Sequence, residues 1–184
     1  MIKKTDVRKV AFSGIVAALY AGLTIAIMPL SYGPVQLRIS EVLCILPFFF
    51  PFTVWGLFVG CIAANIISPY PLDIIVGPIA SLIAALCTMY IGRSNRRESI
   101  AIKALACFPP VLFNAVLIGA MIAYIMVSEG ASDAFLPAFL SSGLWVGLGQ
   151  LIVLYALGLP LMIFLPKTRF IDKLSILYNR GEKQ

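Results

Sequence analysis

Long apolar segments separated by short polar connections follow one another along almost the whole chain. They cover approximately residues 10–28, 38–50, 52–68, 73–92, 104–128 and 138–165. A helix that crosses the hydrocarbon core of a membrane needs roughly 20 mainly apolar residues, and most of these segments are long enough. The pattern predicts an all-α integral membrane protein, a six-transmembrane-helix bundle in which a single membrane domain fills residues 1–184.

The basic residues lie in three clusters that flank the apolar segments. Thirteen of the 14 Lys and Arg residues belong to them: Lys3, Lys4, Arg8 and Lys9; Arg93, Arg96, Arg97 and Lys103; Lys167, Arg169, Lys173, Arg180 and Lys183. Clusters of this kind mark the cytoplasmic side of a membrane, so an even number of spans must separate neighbouring clusters. Three spans between the first and second clusters would break this rule, whereas four satisfy it. With all three clusters on the cytoplasmic side of the cell membrane, the N- and C-termini are both predicted to be cytoplasmic.

Two prolines bear on how residues 38–68 are divided. These residues either form one long helix, over 42–67, interrupted by Pro47 and Pro51, or two spans with a reversal at Phe50-Pro51-Phe52. Charge parity favours the reversal, and proline is a residue that ends helices. The second span is then only 13 residues long, which corresponds to a rise of about 20 Å against a hydrocarbon core of about 30 Å.

The short second span gives Arg38 and Glu41 an unusual position. Its limited rise draws both side chains toward or below the outer membrane boundary, where ionisable groups are tolerated mainly against protein or a water-filled cavity. The alternative is a helix start that snorkels into the headgroups with a local Arg38–Glu41 ion pair.

Other polar residues of the apolar segments fall in the outer half of the predicted bundle. The candidate binding set is Gln36, Arg38, Glu41, Asn65, Tyr70, Asp73, Asn114, Trp145 and Gln150. Such an asymmetry indicates a pocket open to the outside. Each residue also has a structural alternative: Asp73 as a helix cap, the amides as contacts between helices, and the two aromatic residues as part of an interfacial belt.

Composition agrees with a membrane protein and argues against other classes. Residues are 61% hydrophobic and 12% charged, the mean hydropathy is +1.00 and the net charge is +6, whereas about a quarter of a soluble domain is charged. The clustering of the basic residues beside spans argues against nucleic-acid binding. There is no histidine, no nucleotide-binding glycine loop and no clustered acidic site, and the cysteines show no metal-type spacing. We therefore expect no catalysis, cofactor or metal.

Small residues recur in the first span. Gly14, Ala17, Ala18, Ala21 and Gly22 form overlapping small-xxx-small pairs, which let another helix approach closely. This face either packs inside the bundle or docks another subunit. Residues 168–178, in the basic cytoplasmic tail over 166–184, are predicted to form an interfacial amphipathic stretch.

Three motifs carry a family resemblance: QLRISE at 36–41, GLFVGCIAAN at 56–65 and DIIVG at 73–77. With six spans and a small-residue first helix, they resemble the QueT-type queuosine-precursor transporters. The resemblance implies a substrate-binding S-component of an energy-coupling factor (ECF) transporter, partnered by a transmembrane coupling protein and two cytoplasmic ATPases. It also implies docking of the coupling protein on the first helix, with more weight on Ala17 and Ala21, and a 7-deazaguanine cargo such as queuine or its biosynthetic precursors.

The expected cargo suggests roles for the candidate residues. A carboxylate can accept two adjacent N–H donors of a guanine-like edge, and Glu41 is the residue expected to do so. Arg38 would hold Glu41 or donate to the ring carbonyl, and Tyr70 or Trp145 would stack on the ring. Asn65, Asp73, Asn114 and Gln150 would read the remaining edges. The competing hypotheses are an S-component for another vitamin, a solitary facilitator, and a scaffold subunit without a ligand.

Overall fold

The computed structural model describes residues 4–33 and 36–168, with side chains described from Val7 onward. All regular structure in these residues is helical, and six helices dominate it. They are α1 (Lys4–Ala26), α2 (Ile39–Phe49), α3 (Thr53–Asn65), α4 (Asp73–Ile91), α5 (Ile100–Ser128) and α6 (Phe135–Lys167), with a one-turn helix at Met28–Ser31. The tail residues 169–184, including most of the predicted amphipathic stretch, lie outside the described residues.

Within the described residues, four segments are long and apolar enough to cross a membrane: Val7–Ala26 in α1, and the whole of α4, α5 and α6. The helices α2 and α3 are apolar but shorter. The outer surface of the bundle is apolar, with exposed side chains such as Val10, Ile75 and Leu140. A surface of this kind is suited to lipid rather than to water. The prediction of an all-α membrane protein is confirmed, while the six crossings and the side of the termini stay predictions.

The residues from Phe50 to Phe52 form a break between α2 and α3. Phe50, which precedes Pro51, has left the helical region (φ −131°, ψ 88°), as expected for a residue before proline. The hydroxyl of Thr53 donates to the Phe50 carbonyl at 2.7 Å and starts α3. The start of α2 and the end of α3 both contact Asp73, through Arg38 and Asn65. The chain therefore turns back at this break, and a single helix over 42–67 is not formed.

Helix α2 runs alongside α4 from one end to the other. Arg38, just before α2, reaches Asp73 at the start of α4, and Phe48 packs against Gly92, directly after α4. The first part of α2, Ile39–Ile45, is a 3₁₀-helix, which rises about 2.0 Å per residue instead of 1.5 Å. This winding lengthens a helix with few residues, and the long Arg38 side chain covers the remaining distance.

Close helix contacts hold the bundle together. Gly60 of α3 lies against Ala17 of α1, where an added Cβ would be 2.7 Å from the Ala17 carbonyl oxygen. Gly119 of α5 meets Gly143 of α6, where a Cβ added at Gly119 would be 2.6 Å from the Gly143 Cα. Helices α5 and α6 each contain one π-helical turn, at Asn114–Ile118 and Leu154–Gly158. Gly60 and Gly119 therefore allow α3 to approach α1 and α5 to approach α6 closely, as small residues do between membrane helices.

The two ends of the bundle differ in polarity. At one end, which we call the polar end, Tyr32, Arg38, Asn65 and Asp73 are buried together. At the other, the basic end, the α4–α5 connection is exposed and carries Arg93, Arg96 and Arg97. Lys103 is buried there and pairs with Glu98 at 3.2 Å.

Candidate functional site

A buried ion pair joins the start of α2 to the start of α4. The guanidinium Nη2 of Arg38 lies 2.5 Å from Oδ2 of Asp73, and the side chains of both residues are at most 4% exposed. Arg38 also donates to the Asn65 amide oxygen and to the Ser31 carbonyl, both at 3.3 Å, and it lies over the ring of Tyr32. The local Arg38–Glu41 ion pair considered from the sequence is therefore wrong, because Arg38 pairs with Asp73.

Asp73 is held on several sides. Ser68 donates to the same Oδ2 at 3.1 Å, and the Asn65 amide donates to the Asp73 backbone carbonyl at 2.8 Å. Gly77, one turn later, leaves the space that Asp73 and Asn65 occupy, since a Cβ there would be 2.8 Å from Asp73 Oδ1. The N-cap of α4 is Leu72 and has no side-chain hydrogen bond, so Asp73 does not act as the helix cap that the alternative interpretation required.

Glu41 lies on α2, where it contacts Tyr20 of α1, and is 1% exposed. The phenol of Tyr20 donates to its Oε1 at 2.6 Å, and the thiol of Cys44 donates to its Oε2 at 3.0 Å. None of the ion pairs found within residues 7–33 and 36–168 includes Glu41. A carboxylate has about four acceptor positions, so both oxygens can still accept a further donor.

Hydroxyl groups of α1 and of neighbouring segments form further buried hydrogen bonds beside the two acidic residues. Thr24 is 2.6 Å from the hydroxyl of Ser40, and Thr24 also bonds the carbonyl of Tyr20 at 2.8 Å. Ser31 donates to the Thr24 carbonyl at 2.9 Å. Sequence reasoning missed this contribution of α1. The available signal was the spacing of Tyr20 and Thr24, which places both on one helical face.

Tyr32 completes the polar end from the segment between α1 and α2. Its phenol donates to the Ala64 carbonyl at 2.6 Å and lies 3.4 Å from the Asn65 amide oxygen. Burial raises the pKa of Tyr32, and a tyrosine phenol is a protonated donor at neutral pH even without such a shift.

Asn114 and Gln150 are buried in α5 and α6, at 4% and 1% exposure. Asn114 opens one π-helical turn, and Gln150 lies one turn before the other. Ala115 packs against Gly147, where an added Cβ would be 3.2 Å away, so this part of α5 faces this part of α6. Turns of π-helix interrupt regular hydrogen bonding and occur frequently at functional sites.

Four buried side-chain polar atoms in the described part of the chain have no hydrogen-bond partner: Gln36 Nε2, Asp73 Oδ1, Asn114 Nδ2 and Gln150 Oε1. All four belong to the candidate set from the sequence. Gln36 is also the one non-glycine residue described with positive φ, at 47°. No group of three Cys, Asp or Glu side chains suited to a metal ion occurs among the residues described.

Comparison with known proteins assigns the family. The sequence model of the family described as QueT transporter matches residues 10–167. The chain belongs to the QueT transporter family. A protein named Queuosine precursor transporter QueT, from Lactococcus lactis subsp. cremoris (strain MG1363), is 36% identical over 84 residues, 45% of this chain and 50% of the relative. The alignment thus spans about half the length of that relative. No solved structure matches.

Membership of the QueT transporter family, together with the apolar helices, makes this a multi-pass membrane protein. The family resemblance of the three sequence motifs is confirmed.

The two aromatic candidates of this QueT-family chain lie in different environments. Tyr70 is partly buried and packs against the cluster of Ile118, Met121 and Val146. Trp145 is 51% exposed on the surface of α6, beside the buried Val146. The structure therefore brings Tyr70 to the helices that carry Asn114 and Gln150, and it leaves Trp145 outside this set.

The small residues of α1 divide between two faces. Gly14, Ala18 and Gly22, spaced four apart, are exposed, and an added Cβ at either glycine would have no neighbour within 4 Å. Ala17 and Ala21 are half-buried, and Ala17 packs on Gly60. Beside this face, a groove of about 400 Å³ runs between α1 and α3, and its lining includes Gly14, Trp55 and Gly56.

Proposed function

We propose that this protein is the substrate-binding S-component of an ECF-type importer and captures a queuosine precursor, a 7-deazaguanine such as queuine or its biosynthetic precursors. The observation that carries the proposal is a buried set of hydrogen-bonding side chains inside an apolar membrane domain of the QueT transporter family. A small-ligand site needs a mostly apolar enclosure with a few convergent polar groups.

Glu41 is the proposed recognition group for the guanine-like edge. That edge presents adjacent N–H donors, and a carboxylate accepts such a pair through short, charge-assisted hydrogen bonds. Tyr20 and Cys44 fix the orientation of the carboxylate while leaving acceptor positions. Burial of a charge without a cation in contact is costly, and a ligand that donates two hydrogen bonds offsets part of that cost.

The polar end is proposed to face the outside. The α4–α5 connection at the opposite end is basic, as cytoplasmic connections are. In the proposed topology the chain crosses six times and both termini are cytoplasmic. The contacts of α2 support a crossing by so short a helix, because it reaches both ends of α4.

The proposed partners are a transmembrane coupling protein and two cytoplasmic ATPases, which would supply the energy for uptake. The stripe of Gly14, Ala18 and Gly22 is exposed, and Gly14 and Gly22 leave space there for a partner helix. Ala17 already packs on Gly60, so its role in docking would be limited to the edge of the contact.

Isothermal titration calorimetry of the purified protein in detergent tests the proposal. We expect 7-deazaguanine and queuine to bind, and riboflavin and biotin, as chemically unrelated vitamins, not to bind. Binding of an unrelated vitamin in place of the 7-deazaguanines would indicate a different S-component. Transport by the protein alone in liposomes, without a coupling module, would indicate a facilitator.

A further inference from the structure

We infer that the four unpartnered polar atoms of Gln36, Asp73, Asn114 and Gln150 contact the bound molecule directly and determine which heterocycle is accepted. This inference rests on the proposed function and divides the candidate residues into two groups. The first group consists of these four residues. Arg38 and Asn65 form the second group, which positions Asp73.

The two groups differ in whether all their buried polar atoms have hydrogen-bond partners within the protein. Native proteins leave few buried polar side-chain atoms without a partner, and each exception calls for an explanation. Here every such atom within residues 7–33 and 36–168 belongs to a residue that sequence reasoning had placed at the site. A set of amides that only joined helices would bond to one another or to the backbone, as Ser142 does with Gly119 across α5 and α6.

Each side-chain nitrogen or oxygen atom of the two positioning residues already has a partner in the protein. Arg38 donates to Ser31, Asn65 and Asp73. The Asn65 amide accepts from Arg38 through its oxygen and donates through its nitrogen to the Asp73 carbonyl. These contacts use Oδ2 of Asp73 and leave Oδ1 without a partner. Arg38 and Asn65 therefore hold Asp73 in place, and the free oxygen is the group available to a ligand.

The free groups suit an uncharged heterocycle that carries both donors and acceptors. The amides of Gln36, Asn114 and Gln150 each carry a donor and an acceptor, and Asp73 Oδ1 is an acceptor. A 7-deazaguanine offers a ring carbonyl to the donors and N–H groups to the acceptors. A molecule with only acceptors along its edge would leave Asp73 Oδ1 unsatisfied and would be rejected for that reason.

Isosteric removal of the amides gives a test in which function and stability change in opposite directions. We expect Asn114→Leu and Gln150→Met each to weaken 7-deazaguanine binding at least tenfold. Because each replaces an unsatisfied polar group by an apolar one of similar shape, the thermal midpoint of the ligand-free protein should be unchanged or higher. Calorimetry and thermal unfolding in the same detergent measure the two effects.

Ser142→Ala is the matched control. Ser142 is buried on α6, two turns before Gln150, and its hydroxyl is satisfied by the Gly119 and Ala138 carbonyls. This variant should lower the thermal midpoint and leave 7-deazaguanine affinity unchanged. Reduced thermal midpoints for Asn114→Leu and Gln150→Met with wild-type affinity would overturn the inference, because the amides would then be structural.

The two hypotheses fail in different ways. If the wild-type protein binds 7-deazaguanine and both amide variants bind it equally well, only the assignment of the contacts is wrong. If the wild-type protein binds no 7-deazaguanine, the proposed function is contradicted and the inference with it.

Discussion

The first four helices and the last two treat their buried polar groups differently. In α1 to α4, Tyr20, Arg38 and Asn65 are joined in a hydrogen-bonded network around two carboxylates. In α5 and α6, Asn114 and Gln150 are equally buried, yet each retains an atom without a partner. The difference indicates that hydrogen bonds within the protein hold most polar groups of the first four helices, with Gln36 Nε2 and Asp73 Oδ1 as exceptions, whereas the two amides of α5 and α6 keep hydrogen-bonding capacity. Networks that are fully satisfied stabilise one arrangement, whereas free polar groups reduce stability.

Removing the Arg38 guanidinium should have the largest effect on the stability of the protein. Arg38→Met leaves Asp73 as a buried carboxylate without its cation, and we expect a loss of about 3–5 kcal/mol in the free energy of unfolding. Thermal or denaturant unfolding in detergent measures it. The control is Arg97→Met, since the Arg97–Glu98 pair is more than half exposed and should contribute less than about 1 kcal/mol. Equal effects of the two variants would show that the Arg38–Asp73 pair does not stabilise the polar end.

Loss of the Tyr20 hydroxyl should lower the stability of the protein by an intermediate amount. Tyr20→Phe removes the phenol that donates to Glu41 at 2.6 Å, and hydrogen bonds to charged groups contribute about 1.5–3 kcal/mol. Unfolding measurements should show that loss, in contrast to the neutral or stabilising amide substitutions in α5 and α6. Tyr90→Phe, at a position that is 74% exposed, is the control. A Tyr20→Phe protein as stable as wild type would remove the contrast between the two regions.

Glu41→Ala should weaken 7-deazaguanine binding at least tenfold, which corresponds to about 1.4 kcal/mol. The expected cause is loss of the acceptor for the N–H edge. Calorimetry measures the affinity, and circular dichroism checks that the variant is folded. Glu98→Ala changes an exposed carboxylate at the basic end and should bind as wild type does. Wild-type affinity in folded Glu41→Ala would remove Glu41 from the site.

Bulky substitution on α1 should have the smallest effect on stability. Gly14→Leu combined with Ala18→Leu adds side chains on an exposed face, so stability should change by less than about 0.5 kcal/mol and binding should persist. Uptake in cells that express a coupling module should fall. Ala17→Leu, by contrast, meets Gly60 and should cost about 1–3 kcal/mol through overpacking. Normal uptake by the double variant would exclude this face as the docking surface.

Much of the fold follows from local patterns, but several parts of the site depend on tertiary contacts. The break at Phe50-Pro51-Phe52 followed from charge parity and proline chemistry. The partner of Arg38 lies 35 positions away, and only the packing of α2, α3 and α4 brings Asp73 to it. Tyr20 and Thr24 were missed because isolated hydroxyl residues in an apolar segment carry little signal. Trp145 lies at the surface because the rotation of α6 buries Val146 and Gln150 instead.

The most direct test of the account is a binding cycle that combines a change in the protein with a change in the ligand. Affinities of wild type and Glu41→Ala are measured for 7-deazaguanine and for 7-deazahypoxanthine, which lacks the exocyclic amine. If Glu41 accepts that edge, loss of the amine should weaken binding to wild type at least tenfold and change binding to Glu41→Ala little. An equal penalty in both proteins would contradict the claim that this buried carboxylate recognises the ligand.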